Sequence, residues 1–314
     1  MSDKPAVMLA HPMLERMGEM LAADYRIERL WAQDRPALLA GAGKDIEAIV
    51  EGGEVPLPPE LLLGLPKLKL IACVSVGFDG LDVPWCRSHG IEVTHAPGLN
   101  ADDVADHAIG AMIAAYRDIV EGDRFVRSGR WLDERPRHRG SLTGKRVGIV
   151  GLGRIGEACA RRAEAFKMAV EWWGPRPKPD APWPRAQSVL KLAEDCDVLI
   201  VAARADASNR NLIDAEVIEA LGKRGCLVNV ARGSVVDEDA LIAALKSGAL
   251  GSAALDVFWQ EPTPPDRWAE VPNIVLTPHM SGATADTVPK MVGQAIENMR
   301  RHFAGEALLS PVAG

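Results

Sequence analysis

Three side chains of different chemistry follow apolar runs late in the chain: Arg232 in V-A-R-G, Glu261 in W-Q-E-P and His279 in T-P-H. A guanidinium offers a planar, two-pronged partner to a carboxylate. An imidazole, with an ordinary pKa of about 6.5, can hand over a proton at neutral pH. A nearby carboxylate favours the charged imidazole and orients its ring. Together they suit hydride delivery to a carbonyl that stands next to a carboxylate, because the carbonyl oxygen gains negative charge and needs a proton. Each residue also has a plainer reading. Arg232 could serve a structural ion pair, His279 could be a satisfied loop histidine, and Glu261 could be solvated. Asp256, after the same apolar run as Glu261, could hydrogen-bond a nicotinamide carboxamide or cap a backbone.

These residues need a scaffold, and its lead element is K-R-V-G-I-V-G-L-G-R-I-G, from Lys145 to Gly156. Val147, Ile149 and Val150 predict a buried strand, and Glu157 onward predicts a helix. Between them, Gly151, Gly153 and Gly156 have the G-x-G-x-x-G spacing. The first permits a tight turn, the second lets a pyrophosphate approach the backbone, and the third lets helix and strand pack closely. The helix N-terminus then faces the phosphates with its amides and positive dipole end. Further strands are expected at Ala169–Trp173, Val198–Ala202, Leu227–Val230, Ala253–Asp256 and Ile274–Thr277. Six strands led by the glycine turn match a doubly wound dinucleotide-binding domain. Ligands in such sheets lie beyond the carboxyl ends of the strands, where Arg232, Asp256, Glu261 and His279 fall.

The first hundred residues alternate in the same way, with strands expected near Val7–Ala10, Arg26–Leu30, Asp45–Val50, Leu68–Val74 and Ile91–Thr94. A parallel sheet covered by helices follows. A boundary falls at Ala96-Pro97-Gly98. Beyond it, Asn100 is expected to cap a single long helix running to about Ser128. A last helix, Ala285 to about Phe303, is expected to return to the first domain. The expected domains are therefore 1–97 with 286–314, and 98–285.

The 314 residues are 47% hydrophobic and 25% charged, enough for full cores, and the net charge of −7 argues against non-specific nucleic-acid binding. The basic stretch E-R-P-R-H-R-G reads better as a solvated loop than as a nucleic-acid arm. Cys73, Cys86, Cys159, Cys196 and Cys226 show no metal or C-x-x-C spacing, which predicts buried free thiols in a reducing compartment and no metal. With no signal-peptide pattern and no apolar run long enough to span a membrane, a cytoplasmic protein is expected.

V-G-I-V-G-L-G-R-I-G, L-V-N-V-A-R-G-S-V-V-D-E-D-A-L, G-S-A-A-L-D-V-F-W-Q-E-P and V-L-T-P-H-M-S-G-A-T together resemble the D-isomer-specific 2-hydroxyacid dehydrogenase family. The wording is most similar to its glyoxylate/hydroxypyruvate reductase branch, and the likeness covers essentially the whole chain. The resemblance implies two doubly wound α/β domains with parallel sheets, a Rossmann cofactor domain inserted in a flavodoxin-like substrate domain. It implies that Arg232 binds the substrate carboxylate and carbonyl, that His279 donates the proton, and that Glu261 is its carboxylate partner. Main-chain amides around Val76 and Gly77, in V-S-V-G-F-D-G, would hold the substrate carboxylate. A homodimer built on the long helix is also implied; Trp131 resembles a family position near its interface and could equally be a local packing residue.

The expected cofactor contacts are Gly151, Leu152, Gly153, Arg154, Ile155 and Gly156, then Val230, Ala231, Arg232, Asp256, His279 and Ser281. Gly174, Arg176 and Lys178 decide which dinucleotide binds. An acid normally follows the second strand, about 20 residues beyond the glycines, to hold the ribose hydroxyls of NAD. Here V-E-W-W-G-P-R-P-K places Gly174 at that point, followed by two cations. NADPH is therefore preferred over NADH, unless the cations are merely solvated. Where many relatives carry P-L-T-x-E-T, this chain has Arg204–Asn209 as R-A-D-A-S-N. The leading expectation is NADPH-dependent reduction of small 2-oxo acids such as glyoxylate or hydroxypyruvate. The rivals are a dehydrogenase of another 2-keto acid and a non-catalytic nucleotide-sensing binding protein.

Overall fold

The computed structural model describes residues 4–32, 34–136, 138 and 140–312. The chain divides into two compact units, Met1–Leu99 with Ala285–Gly314, and Asn100–Thr284.

The first unit alternates β1 (Ala6–Leu9), α1 (Glu15–Leu21), β2 (Arg26–Arg29), α2 (Arg35–Ala40), β3 (Ile46–Glu51), α3 (Pro59–Leu63), β4 (Leu70–Cys73), α4 (Val83–Ser88) and β5 (Glu92–Thr94). Its five strands are all parallel, in the order β2-β1-β3-β4-β5. Both faces of this sheet are buried, so successive residues of β1 serve different cores. Ala6 and Met8 pack with Ile49 and Ile71, whereas Val7 and Leu9 pack with Ala295 and Met299 of the C-terminal helix. This is the reason the strands read as continuous apolar runs rather than alternating ones. The short helices α2 and α4 carry no strong apolar period; Asp34 and Asp82 start them by accepting from the amides of Ala37 and Trp85.

The second unit begins with α5 (Ala101–Tyr116) and α6 (Ile119–Arg127). The single long helix expected over this stretch is thus two helices. The break is at Asp118, whose φ of 59° lies in the left-handed region, a place an aspartate reaches more readily than most residues. Asn100 precedes α5, but its side chain caps no amide. There follow β6 (Arg146–Val150), α7 (Arg154–Ala165), β7 (Ala169–Trp173), α8 (Val189–Asp195), β8 (Val198–Val201), α9 (Ala215–Leu221), β9 (Cys226–Asn229), α10 (Glu238–Ser247), β10 (Ser252–Leu255) and β11 (Ile274–Leu276). The last helix, α11 (Thr287–Ala304), belongs to the first unit.

The six strands of the second unit are parallel, in the order β11-β10-β9-β8-β6-β7. Beyond β7 the place of a further outer strand is reduced to one parallel bridge between Trp172 and Arg185. With that bridge, the order about the lead strand β6 is that of a classical dinucleotide-binding sheet. Val147 and Ile149 face one core and Val150 the other. Fully burying one such side chain is worth roughly 1.5–3 kcal/mol. The five cysteines are free and buried. Of the basic stretch before β6, Arg137 and Arg139 lie outside the described residues, as do Met1–Asp3 at the N-terminus. No helix among the described residues is long and apolar enough to cross a membrane.

Candidate active site

The turn from β6 into α7 is built as its glycines require. Gly151 has φ +91° and lies so close to Ala203 that a Cβ would come within 2.5 Å of that residue's Cα. A Cβ on Gly156 would strike the carbonyl oxygen of Gly151. Gly153 faces open space and starts α7 with no side-chain cap. Helices α8, α9 and α10 are begun differently, with Ser188, Asp214 and Asp237 each accepting from a first-turn amide. The first-turn amides of α7 therefore lack the side-chain acceptor its neighbours have. An anion such as a pyrophosphate fits that place. Leu152 is buried at the turn, while Arg154 is exposed.

At the end of β7, the Gly174 carbonyl accepts from Arg185 Nε at 3.2 Å and Nη2 at 2.7 Å. Lys178 makes a 3.0 Å ion pair with Glu157 of α7. Glu157, Arg161, Lys178 and Trp183 line a cavity of about 480 Å³ beside the glycine turn. The Arg204–Asn209 loop closes on itself: the Asp206 amide donates to Asn209 Oδ1 at 2.9 Å, and Asn209 Nδ2 donates to the Arg204 carbonyl at 2.7 Å.

Arg232, Glu261 and His279 come together in the second unit. After β9, buried Asn229 shapes the turn through Val230 and Ala231. Its Oδ1 accepts from the Ala231 amide and its Nδ2 donates to the Arg232 carbonyl, both at 3.0 Å. The next residue, Gly233, lies against Phe258 and Trp259 so tightly that a Cβ would overlap the Phe258 carbonyl. The segment carrying Arg232 is thereby pressed onto the segment carrying Glu261. Glu261 Oε1 accepts from the Phe258 amide at 2.8 Å, and its Oε2 lies 2.6 Å from His279 Nδ1. Burial alone would raise the Glu261 carboxyl. The His279 and Phe258 hydrogen bonds, with the charges of His279 and Arg232, outweigh it and hold the group below the ordinary value.

His279 has φ +49°, unusual for a residue with a side chain. Asp256 explains how this is sustained. Its carbonyl accepts from the His279 amide at 2.8 Å. Its carboxylate accepts from the Thr277 hydroxyl at 2.6 Å, the Met280 amide at 3.0 Å and the Ser281 amide at 2.9 Å. The turn after β11 is wrapped around one buried carboxylate. Of the two sequence readings of Asp256, the structure displays backbone capping directly.

In the first unit, Val76 and Gly77 follow β4. The Val76 carbonyl is 3.0 Å from His95 Nδ1, and the Gly77 carbonyl accepts from Ser75 Oγ at 2.6 Å. Among the described residues their amides donate to no backbone carbonyl outside the regular elements. Inspection of residue types missed two participants, Thr277 and His107, the latter 3.0 Å from the Thr277 hydroxyl. The available signal was a polar residue on the otherwise apolar face of Val104, Ala108 and Ala111.

Comparison with known proteins gives the family. Residues 109–281 match the model of the D-isomer-specific 2-hydroxyacid dehydrogenase NAD-binding domain. The chain belongs to the D-isomer-specific 2-hydroxyacid dehydrogenase family. It is 38% identical over 307 residues to glyoxylate/hydroxypyruvate reductase A of Arabidopsis thaliana, covering 98% of each chain. To hydroxyphenylpyruvate reductase of Plectranthus scutellarioides it is 39% identical, again over 98% of each. A solved NADPH-dependent glyoxylate/hydroxypyruvate reductase from Sinorhizobium meliloti, in complex with NADP and malonate, superimposes with a TM-score of 0.92 at 35% identity, covering 99% of this chain and 97% of that one. This 2-hydroxyacid dehydrogenase is therefore an NAD(P)-dependent enzyme of the reductase branch, and the nucleotide-sensing alternative is set aside.

Proposed function

We propose that this dehydrogenase reduces small 2-oxo acids, such as glyoxylate or hydroxypyruvate, to D-2-hydroxy acids with NADPH as the preferred donor. The observation that carries the reading is the 2.6 Å contact of His279 Nδ1 with Glu261, on a carboxylate that also feels the charge of Arg232. The glycine turn would hold the pyrophosphate, and when bound the reduced nicotinamide supplies hydride to C2. Glu261 fixes the His279 ring through Nδ1, so Nε2 is the atom that passes a proton to the carbonyl oxygen. Arg232 clamps the substrate carboxylate and stabilises the developing oxyanion. Asp256 and Ser281 would border the nicotinamide end, as would Val230 and Ala231.

NADPH preference is supported by Gly174, Arg176 and Lys178, and by the NADP bound to the Sinorhizobium meliloti relative. A larger aromatic 2-oxo acid is the second reading, favoured by the likeness to hydroxyphenylpyruvate reductase. A homodimer is supported by the exposed apolar residues Ile119, Val126, Trp131 and Leu132 on and after α6. A cytoplasmic location accords with the five buried free thiols. The test follows loss of cofactor fluorescence over a panel of 2-oxo acids with NADPH and with NADH. A higher kcat/KM for glyoxylate or hydroxypyruvate with NADPH is expected. Equal values, or an NADH advantage, would refute the cofactor preference, and no turnover of any 2-oxo acid would refute the reaction.

A further inference from the structure

The turn that presents His279 is supported from an unexpected direction. Helix α5 packs along β10 and β11 and brings His107 to the carboxyl ends of those strands. There His107 Nε2 lies 3.0 Å from Thr277 Oγ1 and 3.6 Å from Asp256 Oδ1. Thr277 Oγ1 donates to Asp256 Oδ1 at 2.6 Å. A hydroxyl has one proton. Asp256 stays ionised: burial would raise it, but the Ser281, Thr277 and Met280 donors hold it below its ordinary value. The Thr277 proton is thus committed to Asp256, and the Thr277 oxygen can meet His107 only as an acceptor. It follows that His107 carries a hydrogen on Nε2.

We propose that His107 is a positioning residue for the reduction proposed above. Its Nε2–H holds the Thr277 hydroxyl against Asp256, and through that carboxylate it fixes the left-handed turn at His279. The relay is directional, from imidazole to hydroxyl to carboxylate, and each member is half-buried or buried. Asp256 accepts from both sides of His279, at Thr277 and at Met280 and Ser281. Loosening the Thr277 bond frees the N-terminal half of that wrap. His107 need touch neither substrate nor cofactor to act.

Two measurements test this, and the first is independent of the reaction. Side-chain 15N NMR of the intact protein, above the pH range where histidines titrate, is expected to show His107 as the Nε2–H tautomer. Its signal is identified by its loss in His107→Phe. An Nδ1–H tautomer at His107 would overturn the relay whatever the protein catalyses. The second uses turnover of the best 2-oxo acid. His107→Phe is expected to lower kcat about tenfold, the scale of one lost hydrogen bond at a positioned group. His107→Gln, whose amide can still donate to Thr277, should recover to within about threefold of wild type on the same scale. Because His107 acts through Thr277, the His107→Phe/Thr277→Val double variant should be no slower than Thr277→Val alone. Multiplying losses, or a Gln variant as slow as the Phe variant, would overturn the proposal. Absence of turnover in the wild-type protein would instead count against the reaction and leave the NMR result to decide the relay.

Discussion

Two buried carboxylates, one in each unit, have opposite fates. Glu51, the last residue of β3, is fully buried, and among the described residues its Oε1 has no hydrogen-bond partner. Burial pushes its carboxyl up to about 7, although the amides of Gly53, Val55 and Gly52 pull the other way. Asp256, just past β10, is almost equally buried, yet it is held below the ordinary aspartate value. The difference is the donor set. Asp256 has the Thr277 hydroxyl, the Met280 amide, and both the amide and side chain of Ser281 on its carboxylate, whereas Glu51 has the amides of Gly52, Gly53 and Val55 and an Oε1 with no hydrogen-bond partner among the described residues. Burial sets the cost of a charge, and the count of aimed donors decides whether that cost is met. The met carboxylate lies under His279. The unmet one lies under Gly53, which itself packs against the carbonyl of Gly77.

The contrast breaks first at the chemistry. If the Asp256 turn exists to present an acid, His279→Ala should lower kcat/KM by roughly 10²–10⁴ with little change in thermal midpoint, checked by steady-state kinetics and calorimetry. Near-normal turnover would remove the reason for the turn. The next test is stability. Asp256→Ala leaves the Thr277 hydroxyl and the Met280 and Ser281 amides without their shared acceptor and should destabilise the fold by about 3–5 kcal/mol. Glu51→Gln should cost about 1 kcal/mol or less at pH 8, where the native side chain is a poorly satisfied anion. Urea unfolding of both variants measures the gap, and equal losses would erase the distinction.

The pH dependence sharpens it further. Between the unfolded glutamate value, about 4.3, and the folded value of about 7, the folded state keeps a proton that the unfolded chain has released. Stability contributed at Glu51 is therefore full below that window, falls as pH rises through it by on the order of 3–4 kcal/mol, and is level above. Glu51→Gln should flatten this slope. Asp256 has the opposite sign: its contribution is present above the unfolded value and is lost as pH falls through its depressed folded value. The smallest expected effect is at Glu261. Glu261→Gln keeps an oxygen for His279 and removes the charge, so the pH–rate profile should shift by about one pH unit or less to lower pH. An unaltered profile would sever the pair.

The sheets were legible because both of their faces are covered, which makes each strand a short apolar run. The split of the 101–127 helical stretch was not, because Tyr116-Arg117-Asp118 contains neither glycine nor proline and the break depends on one aspartate entering left-handed space. Arg232, Glu261 and His279 could be nominated because each follows a readable strand. Their mutual distances could not, since they depend on the close approach of Gly233 to Phe258. His107 and Thr277 are 170 positions apart, and no local pattern joins them. Glu51 was hidden for a related reason: at the end of an apolar strand, an acid reads as the start of a solvated loop.

The five cysteines have a practical consequence. All are buried, and burial raises every one of their thiols, Cys86 and Cys226 to about 11 and Cys159 and Cys196 to about 12. At neutral pH almost none of that sulfur is thiolate, and little of it can be reached by a reagent. A single cysteine introduced on the surface, for instance at the exposed Leu63, would therefore be the preferred target of a maleimide dye in the otherwise native sequence, with no background substitutions required.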